Sequence, residues 1–548
     1  MDISTAISVL GGVGLFLLGM SVMTNGLKAL AGSGLRATLS KAASTPLSGT
    51  FWGAFVTLIV QSSSATTMTT IGLVSAGLLT FSQGLGLVFG ANIGTTGTAW
   101  LIALVGVRIS LTAYALPMIF VGALIMLLGR GRVSAAGGAL AGFALVLFGL
   151  TTLQQGMSGV AEQLHPSNLP AVFGPGVSWW SALLSTLILI VVGLAMTAVM
   201  QSSTAAVAVT LSAQYAGAVG VDQACALIIG QNIGTATSSA LAAIGASRTA
   251  QRLALAYILF KLIAAVIALV LFPLTVPPLV RLSSTIEGVT LLAGYHTAFN
   301  VVGVAVMLPM INRFSQFVER ILPESGSPLT RTLDPAALLM PIAAEEAVRR
   351  TVARSLQAIC ASINAALTDR KPVSVTAAGD ALRQARQFIS DADGPPESEN
   401  EQERLTRTLH ALDHASRLAD VAGETHNAAP VSIGSEDVRA AELCADAMRH
   451  AVVIGDDVGA LPDTPVHAAE ALEGGATEPP TAHAIERLAY CAEALDELQR
   501  VHRKATLSSV AGGAMSADEA IARVDAVRRL ESLAHHAWRS AMYLLPPK

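Results

Sequence analysis

Residues 61–67 read QSSSATT and residues 201–207 read QSSTAAV. Both sit in sequence that is otherwise apolar. Residues 42–107 contain no Asp, Glu, Lys, Arg or His, and residues 163–221 contain only His165 among these types. A primary amide and a run of hydroxyls in such surroundings are costly to desolvate unless they are partnered or used. The reading of these two heptapeptides therefore decides the reading of the chain.

The charges divide the 548 residues into two parts. Residues 1–313 hold eleven Lys/Arg and four Asp/Glu, whereas the remaining 235 hold twenty-three and thirty-four, giving formal charges of +7 and −11. A spanning helix needs about 20 apolar residues, so each uncharged stretch has room for more than one pass through a bilayer. The start, MDISTAISVL, lacks a basic segment, and the first apolar run is expected to be an uncleaved span rather than a signal peptide. Cys225, Cys360, Cys444 and Cys491 show neither CxxC nor metal-ligand spacing, which predicts no disulfide frame and no zinc site.

The first part repeats itself. Gln61 and Gln201 are 140 residues apart, and so are Asn92 in GANIGTTGTA and Asn232 in GQNIGTATSS, as are Arg108 and Arg248. Upstream, LLGMSVMTNG and LFGLTTLQQG align Gly19 with Gly149 and Gly26 with Gly156 at an offset of 130. The difference of ten residues falls in an insertion around HPSNLPAVFGPGVSWW.

Charge gives an orientation. The loop expected after a span at 5–26 carries Lys28, Arg36 and Lys41; the matching loop after 136–158 carries Glu162, Trp179 and Trp180. By the positive-inside rule the first is cytoplasmic and the second is not, so the two repeats are inverted. PLSGTFWGAFVTLIV and SATTMTTIGLVSAGLL, each shorter than a full span, are expected to form a re-entrant hairpin around the Gln-Ser-Ser-Ser break. Spans near 84–107, 110–129, 223–246, 250–273 and 290–312 complete the path. It places Lys28, Arg36, Lys41, Arg130, Arg132, Arg248, Arg252 and Arg313 inside and only Arg108 and Arg281 outside, with the N-terminus out and the C-terminal part in the cytoplasm. The expected fold class is all-α: a polytopic membrane protein of two inverted repeats with re-entrant helical hairpins, followed by a cytoplasmic helical bundle. The expected divisions are 1–132 and 133–313 for the two repeats, the second with the final span, 314–341 for a linker, and 342–548 for the bundle.

Inverted repeats with broken helices characterise secondary transporters, which bind substrate near the midplane. A helix starting at Ser62, Ser63 and Ser64 aims open N–H groups and the positive end of its dipole at the break. Ser202, Ser203 and Thr204 supply the same from the other repeat, so two helix starts and six hydroxyls are available to one tetrahedral oxyanion. Gln61 and Gln201 can fix the turn or coordinate a small cation. The glycines of GANIGTT and GQNIGTA are expected to let the helix unwind, freeing carbonyls that join Asn92, Thr95, Asn232 and Thr235 as oxygen ligands for sodium. The plainer reading is that Ser, Thr and Gly at these spacings only let membrane helices pack closely. The pairing of both motifs at a matched separation favours the site.

With both Q-S-S-[ST] and both G-x-N-I-G-T motifs in hand, residues 5–312 resemble the sodium/phosphate cotransporter family, the bacterial relatives of the type II carriers. The resemblance implies an inverted-repeat carrier whose Q-S-S-[ST] segments bind inorganic phosphate, with sodium as the coupling ion and no other cofactor. It also implies H-x-x-F-N at two places. HTAFN at 296–300 matches, but 257–261 reads YILFK, so that Lys261 replaces a neutral side chain in mid-span. Lys261, His296 and Asn300 are accordingly candidate modulators. For Lys261 the alternatives are a counter-ion for phosphate, a fixed charge standing in for a coupling cation, or a lysine reaching an internal water cavity or the interface. For His296 they are titration near neutral pH or a structural hydrogen bond between helices.

Beyond LPESGSPLTRTLDP the pattern turns to amphipathic helices, with Val348, Val352, Leu356, Ile359, Ile363 and Leu367 at helical spacing and Leu405, Leu409 and Leu412 continuing it. Breaks at DGPPESEN, GETHNAAPVSIGS and the segment from GALPDTP to TEPPTA separate the helices. This part, including LDHASRLADVA, resembles a PhoU domain. Asp413, Arg417 and Asp420 only approach the acidic metal-binding runs of that family, and His535 and His536 stand where a second copy would place an acid, so no metal is assigned. No P-loop, nucleophile elbow or HExxH is present, which predicts a non-enzyme. The expected function is a sodium-coupled phosphate carrier of a bacterial cytoplasmic (inner) membrane, moving phosphate in either direction. The alternatives are a phosphate-binding membrane sensor without net transport and a carrier for another oxyanion. The expected partners are phosphate, sodium and the lipid bilayer, with phosphate-regulatory proteins or a second copy docking through the bundle, and no nucleic acid.

Overall fold

The computed structural model describes residues 3–42, 44–106, 112–162, 166–170, 172, 177–323, 327–392, 394, 396, 398–424, 435–460 and 480–546; positions 32–42, 105, 106, 112, 113, 168, 242, 435 and 480 are described by backbone only. Arg108, His165, and most of the breaks expected at 423–435 and 459–482 lie outside these residues, as do the side chains of Arg36 and Lys41. Every regular element among the described residues is helical. The chain forms two units, one of residues 1–71 and 81–324, the other of residues 72–80 and 325–548.

In the first unit, α1 spans Ile3–Ala42, α2 Pro46–Val60, α3 begins at Ser63 and runs to Ser75, and α4 spans Phe81–Thr95. After α5 (Gly97–Leu101) a π-helical turn covers Ile102–Gly106, followed by α6 (Thr112–Leu128) and α7 (Arg132–Ala161). The second half contributes α8 (Trp179–Met200), α9 (Ser203–Tyr215), α10 (Val221–Ala242), α11 (Arg248–Leu282), α12 (Gly288–Met307) and α13 (Ile311–Ile321). Among the described residues six stretches are long and apolar enough to cross a membrane: Ile3–Ala31, Phe81–Leu104, Arg132–Ala161, Trp179–Met200, Arg248–Leu282 and Gly288–Ile321. Large apolar side chains such as Phe51, Phe55, Phe120, Leu127, Trp180 and Val191 lie exposed on this unit, as lipid-facing residues do.

Several expectations change. The loop expected after 5–26 is a continuation of α1, which runs on through Lys28, Gly32 and Gly34 to Ala42 with no proline before Pro46. The span expected at 110–129 is the 17-residue α6. The span expected at 223–246 is the 22-residue α10, kept outside the apolar set by Gln231, Asn232, Thr235 and Ser238. The limb before Gln201 is 22 residues long and able to span, whereas its counterpart before Gln61 is 15. The linker expected from residue 314 is helical as far as Ile321, since Ile311, Phe314 and Val318 bury one face of α13.

Glycine sets the packing, and it does so twice. α2 packs on α4 and α8 packs on α10. A methyl group on Gly53 would lie 2.1 Å from the Leu87 carbonyl oxygen, and one on Gly193 would lie 2.1 Å from that of Leu227. In return, Gly90 and Gly230 meet the carbonyls of Thr50 and Ile190 just as closely, at 2.0 and 1.9 Å. Each of these residues is displaced by 140 from its counterpart. Backbones can approach this far only where the side chain is a hydrogen. α1 and α7 pack antiparallel in the same way through Gly12, Gly19 and Gly26 on one helix and Gly142, Gly149 and Gly156 on the other.

The second unit is built on α14 (Pro341–Asp369), α15 (Thr376–Ser390), α16 (Glu399–Glu424), α17 (Ser435–Gly459), α18 (Pro480–Ala511) and α19 (Ala517–Leu544). Val348, Val352, Leu356, Ile359 and Ile363 are buried, as their spacing predicts, against Leu412, Met448 and Leu488 among others. Leu409 is exposed instead, because the buried face of α16 runs through Thr408, Ala411, Leu412 and Ala415. Residues 72–80 join this unit: Ser75 Oγ donates a buried 2.7 Å hydrogen bond to Asp334 Oδ2, and Gly72 packs against Ala336 and Met340.

Candidate functional site

The two Gln-Ser-Ser breaks are built alike. Gln61 ends α2 with φ 56° and ψ 31°, and Gln201 ends α8 with φ 50° and ψ 24°. Left-handed backbone costs a side-chain-bearing residue about 1–2 kcal/mol, and in both breaks the side chain offsets it. Gln61 Nε2 donates to the Leu58 carbonyl at 2.5 Å and its Oε1 accepts from Thr98 Oγ1 at 2.7 Å. Gln201 Nε2 donates to the Ala198 carbonyl at 2.5 Å and its Oε1 accepts from Ser238 Oγ at 3.0 Å. These bonds tie each glutamine both to its own helix and to a hydroxyl 37 residues further on.

The next residue starts a helix. Ser62 Oγ accepts from the Ala65 N–H at 3.3 Å and Ser202 Oγ from the Ala205 N–H at 3.2 Å, so each serine caps its helix. Ser63 and Ser64 open α3, while Ser203 and Thr204 open α9. The first N–H groups of a helix have no intrahelical acceptor, and here they point towards the break with hydroxyls beside them. Thr204 Oγ1 lies 3.0 Å from Ser202 Oγ. Neither start carries an acidic residue in its first turn.

The G-x-N-I-G-T motifs depart from expectation. No unwinding occurs at their glycines: α4 is helical through Thr95 and α10 through Ala242. Gly90, Gly94, Gly230 and Gly234 instead provide the close approach to α2 and α8, as the plainer packing reading holds. Thr95 Oγ1 donates to the Ala91 carbonyl at 2.8 Å and Thr235 Oγ1 to the Asn232 carbonyl at 2.7 Å, so both hydroxyls are engaged within their own helices.

Asn92 and Asn232 meet. Asn92 Nδ2 donates to Asn300 Oδ1 at 2.5 Å and Asn232 Nδ2 donates to the same oxygen at 3.3 Å, while Asn300 Nδ2 donates to the His296 carbonyl at 2.7 Å. The Lys261 ammonium donates to Asn92 Oδ1 and, at 2.5 Å, to Asn232 Oδ1. Four helices, α4, α10, α11 and α12, thus converge on one buried polar cluster. His296 is buried, and its ring Nδ1 has no hydrogen-bond partner. Sequence singled out each of these residues, but it could not show that all four of Asn92, Asn232, Lys261 and Asn300 share one place.

In the second unit Asp413 pairs with Arg417 at 2.9 Å on an exposed face. His414 Nδ1 lies 3.1 Å from His536 Nδ1, and burial together with the His414 neighbour pushes the His536 imidazole down to about 4. Among the described residues no group of three His, Cys, Asp or Glu side chains forms a metal-binding arrangement. Sequence reading missed the buried pair Glu345 and Glu346, both held by Arg404, at 2.6 and 3.0 Å. Burial raises the Glu345 carboxyl, whereas at Glu346 the Arg349, Arg350 and Arg404 guanidiniums outweigh burial and hold the carboxyl below its usual range.

Residues 15–155 and 178–293 match the Na+/Pi-cotransporter family model. The membrane part of the chain belongs to that family. The matched segments contain both Gln-Ser-Ser breaks, both asparagine motifs and Lys261; His296 and Asn300 lie just beyond them. YqeW of Bacillus subtilis, whose name states no activity, is 28% identical over 308 residues, covering 56% of this chain and 95% of YqeW. YjbB of Escherichia coli, whose name proposes inorganic phosphate export, is 29% identical over 355 residues, 64% of this chain and 62% of YjbB, so the chain spans less than two thirds of that relative. The sodium-dependent phosphate transport protein 2A of rat is 35% identical over 99 residues, 18% of this chain and 15% of the relative. No solved structure matches the chain.

Proposed function

We propose that this Na+/Pi-cotransporter family member is a secondary carrier of inorganic phosphate, coupled to sodium, in a bacterial cytoplasmic membrane. The observation that carries the reading is the duplicated break: two left-handed glutamines, each followed at once by a serine-capped helix start with open N–H groups and hydroxyls, and no acidic residue to repel an anion. Ser62, Ser63, Ser64, Ser202, Ser203 and Thr204 bind the phosphate, the two starts serving one site from repeats of opposite orientation. Bringing a divalent anion into a bilayer without cations is costly, which accounts for coupling. The gradients decide between uptake and export.

In this reading the N-terminus lies outside and residues 325–548 form a cytoplasmic, PhoU-like regulatory domain. The positive-inside count supports it. The test is radiolabelled phosphate flux in proteoliposomes under a sodium gradient of either sign. Flux that reverses with the gradient is the expected result; phosphate binding without flux makes the chain a sensor instead.

A further inference from the structure

Lys261 is 2% exposed and sits in mid-helix on α11. Its hydrogen-bond partners are neutral amides, and the face of the Tyr257 ring lies 5.1 Å from the ammonium. A buried cation without a paired carboxylate is costly and is retained where it serves a purpose. Here its surroundings are what a free monovalent cation would ask for: two amide oxygens and an aromatic face.

The placement follows the repeat. Asn92 and Asn232 are equivalent residues of the two halves, and one ammonium donates to the Oδ1 of both. Their orientation is not free. Asn300, anchored by its own Nδ2 on the His296 carbonyl, takes the Nδ2 of each asparagine and so turns both Oδ1 atoms towards the same point. Asn300 is therefore a positioning residue for a pair of converging oxygens. We propose that Lys261 is a tethered cation, its ammonium filling the place between the repeat-related asparagine oxygens where a free monovalent cation would otherwise be held. Being covalently fixed, it excludes sodium from those oxygens, and its ammonium supplies a positive charge to a carrier of anions. Only this last consequence rests on the phosphate-carrier reading; the cation site itself does not.

The test compares wild type with Lys261→Gln and Lys261→Met. Thermal stability in detergent is measured in choline, potassium and sodium chloride at equal ionic strength, and sodium-22 and phosphorus-32 fluxes are measured in proteoliposomes. Emptying the place should make both variants gain about 3 °C or more in Tm over the wild-type response at about 100 mM sodium or potassium. Their transport should gain a further sodium ion per phosphate. Variants that are merely less stable, with the wild-type cation response and ratio, would show a structural strut and overturn the proposal. Should neither variant fold, Asn92→Ser and Asn232→Ser with Lys261 intact decide: an unchanged sodium requirement for half-maximal flux supports the tethered cation, and a raised one shows that sodium reaches those oxygens and overturns it. If no protein moves phosphate while the Lys261 variants alone respond to sodium in Tm, the tethered cation stands and the carrier reading falls.

Discussion

The break at Gln61 and the break at Gln201 carry the same bonds on unequal scaffolds. Each glutamine is left-handed, each donates to the carbonyl three residues earlier, and each accepts from a hydroxyl 37 residues later, Thr98 or Ser238. The helices around them differ. The first limb has 15 residues against 22 in the second, and α4 is interrupted after Thr95 where α10 runs on to Ala242. Thr57 pairs with Thr66 at 2.8 Å, whereas the equivalent Thr197 faces Ala206 in the repeat register and its hydroxyl is buried without a partner. What the two halves share is the elbow, the capped helix start and the glycine contact. What they do not share is length, continuity and one internal hydrogen bond, which marks these as details of support.

Substitutions at matched positions can break that comparison. The largest effect is expected from Gly53→Val and Gly193→Val, since each forces atoms into a carbonyl oxygen 2.1 Å from where even a Cβ would sit. Both should cost about 4 kcal/mol or more and abolish folded, monodisperse protein on size-exclusion chromatography; tolerance of one alone would make the halves structurally unequal. Next come Gln61→Ala and Gln201→Ala, which keep the left-handed strain and remove its compensation. A loss of about 1–2 kcal/mol is expected at Gln61, and less at the more exposed Gln201, read as Tm in detergent. The smallest effect separates the threonines. Thr57→Val should cost about 1 kcal/mol by removing a buried hydrogen bond, while Thr197→Val should cost nothing or stabilise slightly, because its hydroxyl already lacks a partner.

The elbows were legible because a Gln-Ser-Ser run is costly in apolar sequence, and its recurrence at 140 residues singles it out. The glycines were not. Gly90 and Gly230 have the same sequence signature whether a helix unwinds or a neighbour approaches, and only the Thr50 and Ile190 carbonyls against them decide for approach. Lys261 announced itself as an intramembrane charge, yet its ligands come from residues 92 and 232, far away along the chain, and no local pattern joins them. Arg404 with Glu345 and Glu346 was invisible for the same reason, the charges lying 59 and 58 positions apart.

The central claim is that both breaks serve one phosphate. Equilibrium titration of the purified protein with radiolabelled phosphate tests it directly, in wild type, Ser63→Ala, Ser203→Ala and the double variant. One phosphate per chain is expected, and each single substitution should weaken it about 10- to 100-fold, the loss of one charge-assisted hydrogen bond of about 1.5–3 kcal/mol. Two independent sites, each sensitive to only one of the serines, or wild-type affinity in both single variants, would contradict it.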